Sequence, residues 1–203
     1  KNVFKGYSLI QSYNCQGCHI IDDFGGQIVD LLGQDYGPPN LNTQGIKTQP
    51  DWLYSFFKNP ITIRPNLQVR MPSFTMFSDD DWNSLIGSLQ HLENHKLSFE
   101  SDMVVDKNTT EFKAGEKLHE FGACNNCHFY GEIKPVQGPA SWAPNLAMTK
   151  ERLRPEWVQQ WLKNPQAIMP GTKMPAVYLP TPDILESDGS VEVWGSDLVE
   201  MSG

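Results

Sequence analysis

The sequence predicts an all-α fold of two tandem units, each a few short helices joined by long loops. Three observations point there. The string Cys15-Gln16-Gly17-Cys18-His19 returns as Cys124-Asn125-Asn126-Cys127-His128. Smaller motifs follow each string in the same order. Between the motifs, apolar residues recur mainly at spacings of three and four, the period of a helix buried on one face. The 203 residues allow one large domain or two of about 100. The content of 16 Gly and 15 Pro suits short helices and long connections.

The repeat can be followed residue by residue. Aligning Cys15 with Cys124 sets an offset of 109. Pro39-Asn40-Leu41 then matches Pro144-Asn145-Leu146 at 105, as do Trp52 with Trp157 and Lys58-Asn59-Pro60 with Lys163-Asn164-Pro165. Arg70-Met71-Pro72 matches Lys173-Met174-Pro175 at 103. The order is kept, and the drift in offset places short deletions in loops. The chain therefore reads as a tandem duplication, with a first unit over 1–95, a linker over 96–108 and a second unit over 109–203.

Taken in order, Phe4, Tyr7, Leu9, Ile10 and Tyr13 make an amphipathic helix that runs into the first string. Residues 20–47, with Gly25-Gly26, Gly33, Gly37 and Pro38-Pro39, read as loop. Thr48-x-x-Asp51 resembles a capping box, and Pro50 suits the first turn of a helix carrying Trp52, Leu53, Phe56 and Phe57. That helix stops at Asn59-Pro60. A proline-punctuated loop over 60–77 holds Met71. Ser78-x-x-Asp81 caps a closing helix over 79–95, with Trp82, Leu85, Ile86 and Leu89 on its apolar face.

In the second unit, Asn108-x-x-Glu111 opens a helix with Phe112, Leu118 and Phe121, and Gly131 to Pro144 is loop. Pro155 begins a helix carrying Trp157, Val158, Trp161 and Leu162, ended by Asn164-Pro165. Nothing after Met174 clearly matches the 79–95 helix. The one candidate is Val191 to Met201, and we expect the second unit to lack its closing helix.

C-x-x-C-H is the attachment signature of c-type haem. Two thiols can add to the two vinyl groups of one porphyrin, and the following His then lies beneath the iron. All four cysteines of the chain fall in the two strings. Zinc and thioredoxin-like sites also use C-x-x-C. Zinc would need ligands converging from both strings, and two disulfides are a further reading. Neither gives the His a role.

The order of helix, C-x-x-C-H, Pro-x-Leu loop, middle helix, Met-Pro loop and closing helix resembles the class I cytochrome c family. The likeness runs from about residue 4 to 95 and again from about 111 to 175. It implies two cytochrome c-like domains, each wrapped around one covalently bound haem c. His19 and Met71 would be the axial ligands of the first haem, and His128 and Met174 those of the second. Cys15, Cys18, Cys124 and Cys127 would carry the thioethers. The carbonyls of Pro39 and Pro144 would accept a hydrogen bond from each proximal imidazole, which orients the ring. Trp52 and Trp157 would sit near a haem edge, or serve simply as core. Arg64, Arg70 and Lys173 stand where a cation could meet a propionate.

The second unit offers two Met-Pro pairs. Ile63-Arg64-Pro65 aligns with Ile168-Met169-Pro170 at 105, so Met169 takes the place of Arg64. Met174 is left as the ligand. His91 and His95 read as surface or cap residues. Met76, Met103, Met148 and Met201 read as packing residues. The runs Asp22-Asp23 and Asp79-Asp80-Asp81 read as a solvated loop and a helix start.

Two filled axial positions leave no vacant site for oxygen or peroxide, and a thioether ligand favours ferrous iron. The leading function is therefore single-electron relay between redox protein partners, alone or as a subunit of a membrane respiratory complex, and not an enzyme. A dihaem peroxidase-type enzyme is the competing reading. The formal charge of −8 argues against nucleic acid and leaves a basic protein partner open. No run approaches the roughly 18 apolar residues of a membrane span. No charged-then-apolar leader opens the chain, so we expect any signal peptide to have been removed. By the family resemblance, covalent haem implies assembly outside the cytoplasmic membrane, and we expect a periplasmic or equivalent location.

Overall fold

The computed structural model describes residues 2–33, 36–67, 69–92 and 106–176. The fold is helix-rich. Asn2 opens α1 (Val3–Ser12) by accepting the Lys5 backbone N–H at 3.0 Å. After the first C-x-x-C-H turn come two-residue strands, β1 (Ile20–Ile21) and β2 (Phe24–Gly25), paired antiparallel with Ile20 opposite Gly25. Asp22 and Asp23 turn between them at φ of 56° and 61°. Then follow α2 (Gln27–Leu32), α3 (Gln44–Lys47), α4 (Pro50–Lys58) and α5 (Asp79–Leu92). The second half holds α6 (Thr110–Phe121), α7 (Thr149–Arg152), α8 (Pro155–Lys163) and α9 (Pro165–Ile168).

Several local expectations change. Residues 20–47 are not all loop. Gly26 and Gly33, both at positive φ, delimit the short helix α2 rather than interrupt a loop. Thr48 does not cap α4. It is 1% exposed and accepts from Gln44 Nε2 at 2.6 Å, while Gln49 takes the N-cap position without a side-chain bond. Thr109, not Asn108, caps α6, accepting the Phe112 N–H at 3.2 Å, while Asn108 bonds Asp106. The Ser78–Asp81 box forms as expected, with Asp81 Oδ2 accepting from the Ser78 N–H at 2.8 Å and Ser78 Oγ accepting from the Asp81 N–H at 3.3 Å. Helix α5 is described to Leu92, and the candidate helix over 191–201 lies outside the described residues, as do His95, Met103 and Met201.

The core of the first half is the packing of α1 on α5, closed by α4. Ile10, Ile21, Leu53, Phe57, Trp82 and Leu89 form one buried cluster, with the Phe57 and Trp82 rings stacked at 5.3 Å. The α1–α5 crossing is close because position 6 is glycine. A Cβ there would lie 2.3 Å from the Ser84 carbonyl oxygen. Lys5 holds the crossing from outside, 2.5 Å from Asp80 and 2.6 Å from Asp81.

The two halves meet along a seam whose contacts are reciprocal. The Gln49 N–H donates to the Arg152 carbonyl at 2.9 Å, and the Arg154 N–H donates to the Lys47 carbonyl at 3.0 Å. Thr48 and Leu153 face each other in an antiparallel bridge. Gln49 Nε2 reaches the Leu153 carbonyl and Arg154 Nε the Thr48 carbonyl, each at 3.4 Å. Lys47, Thr48 and Gln49 are the 105-offset counterparts of Arg152, Leu153 and Arg154. Each contact therefore has a mate with the roles exchanged, the signature of a local two-fold relation.

Candidate functional site

Both C-x-x-C-H strings fold the same way. Asn14 at φ 52° and Ala123 at φ 48° enter the turn through the left-handed region. Cys15–Gly17 and Cys124–Asn126 are then single 3₁₀ turns. The His19 N–H donates to the Cys15 carbonyl, and the His128 N–H to the Cys124 carbonyl, both at 2.9 Å. One tight turn thus carries two thiols, with one imidazole following it. All four cysteines are half-buried free thiols, and burial pushes the Cys15 and Cys124 thiols up from their ordinary pKa.

The imidazoles are oriented alike. Nδ1 of His19 lies 2.7 Å from the Pro39 carbonyl, and Nδ1 of His128 lies 2.7 Å from that of Pro144. A carbonyl oxygen only accepts, so Nδ1 carries the proton and Nε2 keeps its lone pair for a metal. Burial pushes the His19 pKa down, against the opposing bond to Pro39, and Arg64 adds to the lowering. His128 is likewise lowered by burial, with Pro144 opposing and His119 assisting. Both shifts favour the neutral ring, the state that ligates. Among the described residues no three of His, Cys, Asp and Glu gather as a metal cage. The pocket is thus one imidazole and two thiols per turn, which fits a covalently tethered haem and lacks the donor set of zinc.

The remaining expected site residues divide. Met71 is partly buried and packs against the first-half core, as Cys15 does. Met174 Sδ accepts from Trp161 Nε1 at 2.8 Å. Met169 ends α9, its N–H bonded to the Pro165 carbonyl at 2.8 Å. Trp52 stacks on Phe56 at 5.1 Å, and Trp157 on Trp161 at 4.9 Å. Arg64 is drawn inward, donating from Nη2 to the Gly37 carbonyl at 2.9 Å. Arg70 is exposed and folds back on its own loop, donating to the Leu67 and Val69 carbonyls. Lys173 is exposed and lies over the Tyr36 ring at 4.9 Å, reaching from the second half to the first.

Residues 2–87 match the family model described as cytochrome c oxidase, cbb3-type, subunit III. The first half is similar to a c-type cytochrome domain. Cytochrome c oxidase subunit 2 of Bacillus subtilis (strain 168) is 33% identical over 100 residues, covering 45% of this chain and 26% of that protein. The chain thus spans about a quarter of the length of this curated relative. No solved structure matches. Both likenesses are to subunits of cytochrome c oxidases. Among the described residues no helix is long and apolar enough to cross a membrane.

Sequence reasoning missed Lys47, Arg152 and Trp161. A signal was available for the first two, because the 105 offset pairs Lys47 with Arg152, a basic residue at the same place in each unit. Trp161 aligns with Phe56, so its indole N–H was legible as a difference, but not its partner.

Proposed function

We propose that the chain is an electron-transfer cytochrome c with two haems, one in each half. His19 and Met71 ligate one iron, and His128 and Met174 the other. The chain passes single electrons between redox protein partners, as a carrier or as a subunit of a respiratory complex of the oxidase kind. The observation that carries this reading is the recurrence, 109 residues on, of the same turn and the same 2.7 Å imidazole–carbonyl bond. The haem supplies the one-electron iron couple. The chain supplies two thioether anchors, a neutral imidazole fixed in one tautomer, and a thioether that favours the ferrous state. With a His and a Met both holding each iron, no position would be left for peroxide, which separates this reading from a peroxidase. The expected location is the periplasm or an equivalent outer face of the cytoplasmic membrane.

The test uses the holoprotein's ferric spectrum. Both haems should be low-spin with a sulfur-to-iron band. Met174→Ala should abolish that band for one haem and lower its potential, leaving the other intact. Loss on Met169→Ala, with Met174→Ala silent, would show the ligand assignment to be wrong. A high-spin, peroxide-reactive haem in the unaltered chain would favour the peroxidase.

A further inference from the structure

Three cations at the seam between the halves, Lys47, Arg64 and Arg152, have no paired carboxylate among the described residues. Arg152 is 9% exposed, and its Nε has no hydrogen-bond partner. Its guanidinium lies over the Trp52 ring at 5.4 Å. Lys47 is half-buried, with Nζ 4.9 Å from the Trp157 ring and 6.0 Å from that of Trp161. Trp157 is 4% exposed, and its Nε1 also has no partner. Arg64 completes the group. Among the described residues no carboxylate pairs with Lys47, Arg64 or Arg152. The ion pairs of the described residues join Lys5 and Lys58 to Asp79, Asp80 and Asp81 on the far side of the fold.

The three cations repel one another. Burial pushes Lys47 down to about 7, with Arg152 and Arg64 adding to the shift. Burial pushes Arg64 and Arg152 down to about 10, and Arg64 adds to the lowering of Arg152. Desolvated like charges are costly unless an anion joins them. Contact with an indole face is a smaller effect than the desolvation it accompanies. A guanidinium fork, an ammonium and an indole N–H are together a carboxylate-binding set.

We propose that this seam is a carboxylate site for the propionates of both haems, and that the cations are exchanged across it. Arg152 of the second half serves the first haem, and Lys47 of the first half serves the second. The exchange follows from the rings beneath them. Arg152 lies over Trp52, which stacks on Phe56, a residue packed on the same core as Met71. Lys47 lies over Trp157 and Trp161, and Trp161 donates to Met174. Arg64 stands on the first-half side, where its charge reaches His19. The seam is thus an electrostatic link between the two haems as well as a packing contact. The proposal rests on the dihaem reading above.

Potentiometric titration of the full-length holoprotein tests it. A cation beside a haem opposes the extra positive charge of ferric iron, so removing it lowers the potential. Arg152→Gln should make the first haem about tenfold easier to oxidise, ~59 mV for a one-electron couple, with a smaller change at the second. Lys47→Gln should do the reverse. Lys150→Gln, at an exposed position of α7, should move neither appreciably. Should the Gln variants fail to mature, Arg152→Lys and Lys47→Arg keep the charge. These should hold both potentials and shift the propionate carboxylate bands in the redox-difference infrared spectrum. Unchanged potentials and bands, or each cation acting only on the haem of its own half, would overturn the exchange. So would added inorganic phosphate lowering the potentials of the unaltered protein, because the site would then take a free anion. A chain carrying fewer than two haems would instead fail the dihaem reading.

Discussion

Gly6 and Gly115 occupy the same place in the first helix of each half, yet their surroundings differ. A side chain at Gly6 would drive into the backbone of α5, whereas among the described residues nothing lies within 4 Å of a Cβ at Gly115. The same contrast runs through the cores. In the first half α1, α4 and α5 enclose a cluster of aliphatic and aromatic side chains. Among the described residues of the second half, Trp157 is the one buried large hydrophobic residue. The two C-x-x-C-H turns nonetheless enter through residues alike to a few degrees in φ and share the imidazole–carbonyl length. Site geometry and helical packing are therefore separable here. The turn needs only its local hydrogen bonds and one carbonyl from a Pro-Asn-Leu loop.

Changing the two glycines sharpens that contrast, with the largest expected effect on stability. Gly6→Ala should destabilise the first half by about 2–3 kcal/mol, because Ser84 meets the new methyl with backbone, which cannot swing away. Gly115→Ala should be neutral or stabilise by up to about 1 kcal/mol, the helix propensity difference alone. Thermal unfolding of the two variants checks this. Equal destabilisation would mean that the second half has its own close helix crossing.

A smaller effect should separate the two thioethers proposed as iron ligands. Trp161 donates to Met174, while its counterpart Phe56 has no N–H to offer Met71. A hydrogen bond on the sulfur weakens its donation to ferric iron and so raises the potential. Trp161→Phe should therefore lower the second potential by less than the ~59 mV of a tenfold change, and leave the first in place. A shift confined to the first haem would break the assignment of Met174 to the second haem.

Much of this was legible in the sequence, because it rests on local rules. The C-x-x-C-H strings, the Ser78–Asp81 box and the prolines opening α4 and α8 act within one turn of themselves. The imidazole acceptors Pro39 and Pro144 were expected through the resemblance to the class I cytochrome c family, and the repeat only paired the two positions. What stayed hidden depends on partners distant in the chain. Thr48 looked like a helix cap, but it pairs with Leu153, more than one hundred residues away. Gly26 and Gly33 looked like loop residues because α2 is too short to show a period. Lys47 and Arg152 carried no sign of burial, since a single basic residue before a helix usually stands in solvent.

The match to a known family covers residues 2–87, so the central claim, that the second half carries a haem as the first does, stands on the repeat and its geometry. Intact mass measurement of the full chain, matured with its c-type haem assembly machinery, addresses it most directly. The expected result is a mass raised by two haems, reduced by one in a Cys124→Ala/Cys127→Ala double variant. A mass raised by one haem in the unaltered chain, and unchanged by that double variant, would contradict the claim.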